Sequence, residues 1–178
     1  TRSYLAPERD PGDQRAAAAL TLLAEILGGG QTSVLTQKLQ FETSTAVYAA
    51  AFYDGLSLDD SSFGFAVVPS AEVTLQAAEE ALDQALAEFF EAGVDLEQLE
   101  RIKTQFAASD IYARDNVQGL ANSYGAALTS GLGLSDIHAW PDIIQAVTAE
   151  DIMAAAKDVL RDAGSVTGWL MKPEEEKQ

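Results

Sequence analysis

A single histidine and no cysteine stand among the 178 residues of this chain. That inventory removes most enzyme chemistry at once. Without cysteine there is no thiolate nucleophile, thiolate metal site or disulfide. A Ser-His-Asp relay cannot be argued around one imidazole, and G-x-S-x-G is absent. His138 sits in DIHAWP, with no second ligand at helical spacing. Beside Trp140 it reads as a structural or surface group. No catalytic residue and no metal ligand is assigned.

The carboxylates are abundant but scattered. Asp54, Asp59 and Asp60 flank a turn, and D-G-L-S-L-D-D lacks the calcium-loop pattern. Glu79 and Asp83, next to Glu80, share a helix face at i,i+4, where like charges repel. That suits a solvated face better than a catalytic dyad. Arg101, Lys103 and Arg114 have acidic neighbours in Glu97, Glu100 and Asp115, an arrangement that predicts weak surface pairs. Gly28, Gly29 and Gly30 invite a phosphate-loop reading, but no G-K-[ST] follows and no strand precedes. They are better read as a helix stop and close-packing hinge, with at least one positive φ. Tyr48, Phe52 and Tyr53 with Phe63 and Phe65 form an aromatic set suited to cross-strand pairing. Its functional alternative is the apolar lining of a peptide chamber.

The formal net charge is −17. Such a field repels phosphate backbones and anionic membranes, which argues against nucleic-acid partners and membrane docking. It keeps the chain soluble, and it would attract basic peptides or a basic partner subunit. With 47% hydrophobic residues the chain can bury a full core. No apolar run reaches the roughly 18 residues of a membrane span.

The elements that position these residues follow from periodicity. A strand is expected over Arg2 to Ala6, and a helix over Gln14 to Leu27 with Asp13 as a candidate N-cap. A short helix over Val34 to Phe41 follows the glycines. TAVYAAAFYDG and SSFGFAVVPS alternate as an antiparallel pair across a turn at Asp54-Gly55. A long helix is expected from Ala71 to Ala92, started by Ser70 or Glu72, with a core stripe of Val73, Ala77, Leu82, Leu86 and Phe89. The next helix carries Leu96, Leu99, Ile102 and Phe106 on one face. Further helices are expected over Val117–Thr129, around Ser135 to Val147 with a kink or restart at Pro141, and after an N-cap at Thr148. Residues 164–173 read as a last strand. The order β–α–α–β–β–α–α–α–α–α–β specifies an α+β two-layer sandwich, a mostly antiparallel sheet with helices on one face. Residues 1–173 form one domain, and 174–178 an acidic solvated tail.

This order resembles the half-domains of the pitrilysin-type zinc peptidases, the family of the mitochondrial processing peptidases. RSYLAP is similar to the opening strand of the C-terminal, non-zinc half. LLAEILGGGQTSVLTQKLQ resembles the family's helix–glycine–helix segment, and AFYDG the end of its hairpin strand. EAGVDLEQLERIKTQFAASDIYARDN resembles a glycine turn and helix pair, and DIHAWPDIIQAVTAEDIMAAAKDVL with SVTGWLMKP the last helices and strand. The likeness covers nearly the whole chain.

In that family the first half-domain carries H-x-x-E-H and zinc. The resemblance therefore implies a non-catalytic C-terminal half that walls a peptide-degradation chamber and meets a homologous zinc-bearing half-domain or partner subunit. Zinc is expected in that other half, and no cofactor in this chain. The parent would be a zinc metalloendopeptidase acting on peptides, in the bacterial periplasm, although no residue pattern here fixes the compartment. The family's second half often holds substrate with an arginine and a tyrosine. Those positions fall on Gln40 and Val47, and neither matches. Tyr48 is one residue away, which strict alternation puts on the opposite strand face. The substrate-binding residues are thus left open. An alternative of a different class is a stand-alone interaction or assembly domain of the same fold, as in respiratory-complex core subunits. A third is an unrelated α+β ligand binder, since fold does not fix function.

Overall fold

The computed structural model describes residues 1–171. Its elements are β1 (Arg2–Ala6), α1 (Arg15–Gly28), a π-helix (Thr36–Glu42), β2 (Ala46–Tyr53), β3 (Ser61–Pro69), α2 (Leu75–Ala92), α3 (Leu96–Ala113), α4 (Val117–Thr129), α5 (Leu134–Ala146), α6 (Ala149–Val159), a 3₁₀ turn (Asp162–Gly164) and β4 (Ser165–Thr167). The four strands make one antiparallel sheet in the order β2-β3-β1-β4. The first and last strands and the central hairpin thus share one sheet, and the α+β expectation holds.

Helix α1 organises the layer behind the sheet. Ala17, Ala18, Ala19, Leu20, Leu22, Leu23, Ala24, Ile26 and Leu27 are all buried. A helix apolar on every side must be covered on every side. It packs on β2 and is flanked by α3, α5 and α6. The core face of the sheet meets these helices with an aromatic band. Tyr4 and Phe65 pack edge to face at 6.1 Å, Phe63 and Phe65 at 5.4 Å, and Tyr53 stacks on Phe63 at 6.4 Å. Of these, Tyr53–Phe63 is a cross-strand pair of the expected set; Phe63 and Phe65 share β3, and Tyr4 joins from β1, outside that set. Phe52 and Tyr48 point away and remain about half exposed.

The glycine stop lies where helix and sheet approach most closely. An added Cβ on Gly28 would lie 1.8 Å from the backbone nitrogen of Ala51. Gly30 has φ +124°, the left-handed geometry that favours glycine. Gly28 therefore sets the helix–strand distance, and Gly30 turns the chain toward the π-helix.

Several boundaries differ from those read in the sequence. Helix α1 has Gln14, not Asp13, at its N-cap, with no side-chain cap bond. Helix α2 begins at Leu75, because Thr74 accepts the Ala77 N–H at 3.1 Å and ends the preceding turn. Its buried face is Ala78, Leu82, Ala85, Leu86 and Phe89. Val73 lies before the helix, and Ala77 is exposed. On α3 the buried set is Gln98, Leu99, Ile102 and Lys103, while Leu96 is exposed next to the Asp95 cap. Helix α5 runs through Pro141 without a break. Thr148 and Asp151 form the expected capping box of α6. The last strand is only Ser165–Thr167. Lys172 and Pro173, and the 174–178 tail, lie outside the described residues.

Two outcomes follow from this packing. Leu86→Ala should lower the unfolding free energy by about 2–5 kcal/mol, measured by urea denaturation, because the residue is buried against the sheet. Gly28→Ala should cost about 3 kcal/mol, since the new methyl collides with backbone that cannot rotate away. Gly30→Ala meets no atom, and its cost of about 1 kcal/mol or more is backbone strain at positive φ.

Candidate functional site

The positions singled out by the resemblance lie together on the π-helix and the start of β2. Gln40 is half-buried and donates from Nε2 to Thr36 Oγ1 at 3.5 Å. Thr36 is buried, and Ser33 Oγ bonds it at 3.0 Å and donates to the Gly30 carbonyl at 2.7 Å. This corner is a hydroxyl network tied to the glycine turn. Lys38, the cation on the same π-helix, is paired with Glu88 at 2.7 Å and Glu42 at 3.5 Å.

Val47 lies at a bulge. Ala46 pairs with Pro69 and Tyr48 with Val68, so Val47 has no partner of its own on β3. The bulge interrupts the alternation, and Val47 and Tyr48 are both exposed, at 63% and 52%. Placing Tyr48 on the opposite face from Val47 by strict alternation is therefore corrected: the tyrosine reaches the outer surface one residue late.

Tyr48 borders a groove of about 530 Å³ at the corner of β3, α2 and the segment after β4. Val68, Leu75, Ala78, Leu82 and Trp169 complete its apolar lining. Strand β3 runs past the end of β1, whose pairing stops at Arg2 opposite Phe65. Ala66 to Pro69 thus line the groove on a side that β1 leaves open. Hydrophobic walls beside an unpaired stretch of strand suit an extended chain.

The groove's charged end is fully paired. Arg2 is buried and bridges Glu79 at 2.8 Å and Asp83. Burial opposes its charge, but the hydrogen bonds to Asp83 and Glu79 outweigh that and hold its pKa above the ordinary arginine value. Glu79 also accepts from Thr167 Oγ1 and from Trp169 Nε1, each at 3.0 Å. The Arg2 hydrogen bond first, and those from Thr167 and Trp169, hold the Glu79 carboxyl below the usual range. Glu79 and Asp83 are therefore bridged by a strand cation that lies outside the helical spacing on which their repulsion was read, and this offsets part of that repulsion.

The other charged residues are dispersed. His138 Nε2 lies 3.0 Å from the Tyr124 hydroxyl. Lys103 pairs with Glu100 at 3.3 Å as expected. Arg114 pairs with Asp110 at 2.6 Å rather than Asp115, because Asp110 precedes it by one helical turn. Arg101 reaches Thr32 Oγ1 at 3.2 Å instead of Glu97.

Comparison with known proteins places this architecture. A sequence model described as the peptidase M16 inactive domain matches residues 3–106. The chain belongs to the peptidase M16 family. Its matched segment runs from β1 through most of α3, including the glycine turn and hairpin. A protease from Helicobacter pylori has the same fold, with TM-score 0.83, 20% identity, 92% of this chain covered and 38% of that one. A candidate zinc protease from Bordetella pertussis gives TM-score 0.81 and 18% identity, covering 96% of this chain and 92% of that one. The periplasmic protease PqqL from Escherichia coli gives TM-score 0.64 and 18% identity over 89% of this chain and 17% of that one. At these identities the structures establish the fold alone. The chain spans little more than a third of the Helicobacter protein. No curated protein matches the sequence.

The M16 inactive domain can be tested for a fit to zinc from its own donors. Among the described residues no group of three or more His, Cys, Asp or Glu side chains could hold a metal ion. His138 engages Tyr124 instead, and Glu79 is committed to Arg2, Thr167 and Trp169. The donor set does not fit a peptidase zinc site.

The groove makes a testable statement about acid. A carboxyl whose folded pKa is depressed contributes stability above its unfolded pKa, about 4.3 for glutamate, and loses it as pH falls through the lower folded value. The Trp169 indole N–H resonance should therefore stay fixed from neutral pH down to about 5 and move only below about 4. In Glu79→Gln that acid transition should vanish, as followed by proton–nitrogen correlation spectra.

Proposed function

We propose that this M16 inactive domain is the non-catalytic C-terminal half of a zinc metalloendopeptidase. It would form one wall of the peptide chamber and the interface to a zinc-bearing half. The observation that carries this reading is the combination of family and donor set. The M16 match runs through β1, the glycine turn and the hairpin, while the described residues hold no group able to bind the metal. Zinc and the attacking water would come from the other half.

The groove beside Tyr48 and Trp169 supports a peptide substrate. Its open β3 stretch offers main-chain hydrogen bonds, and its walls offer apolar contact. The net charge of −17 favours basic peptides, an attraction screened beyond a Debye length of about 8 Å at physiological salt. The periplasm is the compartment this reading favours, since a structural relative is a periplasmic protease. No helix of the described residues is long and apolar enough to cross a membrane.

The test pairs this chain with zinc-bearing M16 halves encoded beside it. Alone, the chain should retain no stoichiometric zinc by elemental analysis and cleave no peptide. With its partner it should support cleavage that chelators abolish, with basic peptides losing rate as salt rises. Zinc retained at one equivalent by this chain, with cleavage by it alone, would overturn the proposal. Failure of every combination to cleave would leave the assembly-domain reading in its place.

A further inference from the structure

A second cleft lies far from the sheet groove in composition and chemistry. It opens between α3, α4 and α5, has a volume of about 640 Å³, and is bordered by Arg9, Leu56, Tyr124, Ile137 and Trp140. Arg9 is the unusual member. It is only 9% exposed. Its Nε and Nη2 both donate to one neutral acceptor, Gln14 Oε1, at 2.9 and 2.7 Å. Its guanidinium carbon stacks 3.7 Å above the centroid of the Trp140 ring.

Among the described residues no carboxylate forms an ion pair with Arg9. Asp136 acts on it only through space. The two oxygens of Asp136 are occupied by the Gly12 and Gly133 N–H groups at 2.9 and 2.8 Å. Burial accordingly lowers the Arg9 pKa to about 10, the reverse of Arg2. Nη1 makes no hydrogen bond to the described residues, yet none of their buried side-chain nitrogens or oxygens lacks a partner. Nη1 is therefore reached by solvent, and the cleft is the opening that Arg9 borders. A largely buried cation with two free N–H bonds, beside a mixed cleft with an apolar wall of Leu56, Ile137 and Trp140, lacks one thing, an anion with an apolar body.

We propose that this cleft binds a carboxylate attached to an apolar group, with Arg9 Nη1 donating to the carboxylate and the apolar body resting against Trp140, Ile137 and Leu56. The Tyr124 hydroxyl and His138, already linked at 3.0 Å, supply polar contacts on the same wall. Asp110 also borders the cleft, but Arg114 neutralises it at 2.6 Å. The chain's overall negative charge slows the approach of anions without deciding the outcome, because screening confines it to about 8 Å. A charge-assisted bond to a largely buried guanidinium is local and strong. Two sources carry this chemistry, the free C-terminus of a peptide and a small organic acid.

The experiment uses this chain alone and three probes: N-acetyl-Leu-Phe, its C-terminal amide, and phenylacetate. Binding is read from the Trp140 indole resonance in proton–nitrogen spectra. The acid should shift Trp140 saturably, and the amide should bind at least about tenfold more weakly. Ser123→Trp, at an exposed α4 position on the cleft wall, should fill the site and remove the shift while circular dichroism and the thermal midpoint stay unchanged. Arg9→Lys should weaken binding about tenfold or more. Tighter binding of the peptide than of phenylacetate assigns the source to peptide C-termini, and the converse assigns it to small acids; either supports the carboxylate site. Equal shifts by acid and amide, a response that survives Ser123→Trp, or no saturable shift up to about 20 mM probe would overturn it. No zinc or partner half enters this measurement, so its failure leaves the chamber proposal standing, and the reverse.

Discussion

The structure depends on the burial of α1. Nine of its fourteen residues are buried, so no single layer can satisfy it. The sheet covers one side, and α3, α5 and α6 are drawn around the rest. A helix surrounded in this way must approach the strand beneath it closely. Gly28 permits that approach, since any Cβ there would overlap the backbone of Ala51. Gly30 then sends the chain into the π-helix that props the start of β2. The placement of Gln40 and Val47 thus follows from how tightly α1 sits on the sheet.

Strand β1 and the loop after it carry two buried arginines with opposite fates. Arg2 enters the sheet–helix boundary with two carboxylates, and the triad ties β1 to α2. Arg9 has a neutral amide and an indole face. Burying a cation is costly in both cases. For Arg2 the cost is offset inside the protein, and the result is a rigid corner. For Arg9 the electrostatic imbalance persists, and the polar chemistry of the cleft originates there. Gln14 links that arginine onward to the Asp136 carbonyl of α5, so the β1–α1 loop and α5 share one polar junction.

Much of this was legible in the sequence, and the failures have identifiable causes. Element order, the antiparallel hairpin, the α6 cap and the glycine turn are encoded by local periodicity and side-chain chemistry. The M16 relationship was carried by the order of motifs rather than by any one of them. The start of α2 differs because the Thr74 cap overrides hydrophobic periodicity, whereas at the start of α1 Gln14 stands at the N-cap position without a side-chain bond. The bulge at Val47 has no local signature, and it defeated the alternation argument for Tyr48. The groove and the Arg2 triad have no local signature, because their members come from β1, the central hairpin, α2 and the segment around β4. Arg9 has no signature in the sequence, because its significance lies in a missing carboxylate partner. Sequence spacing cannot display that.

The backbone contacts between Thr1 and Gly168, with the Gly168 N–H donating to the Thr1 carbonyl at 2.8 Å, join residues 167 positions apart. Together with the β1–β4 ladder they are among the most non-local contacts in the fold. Loop-closure entropy makes such contacts late events, after the β2–β3 hairpin and the helices have formed. Until β4 arrives, β1 has a bare edge and the Arg2 triad lacks its Thr167 neighbour. Residues 165–168 thus act as a latch: loop-closure entropy favours the central hairpin and helices first, and the sheet closes when β4 meets β1.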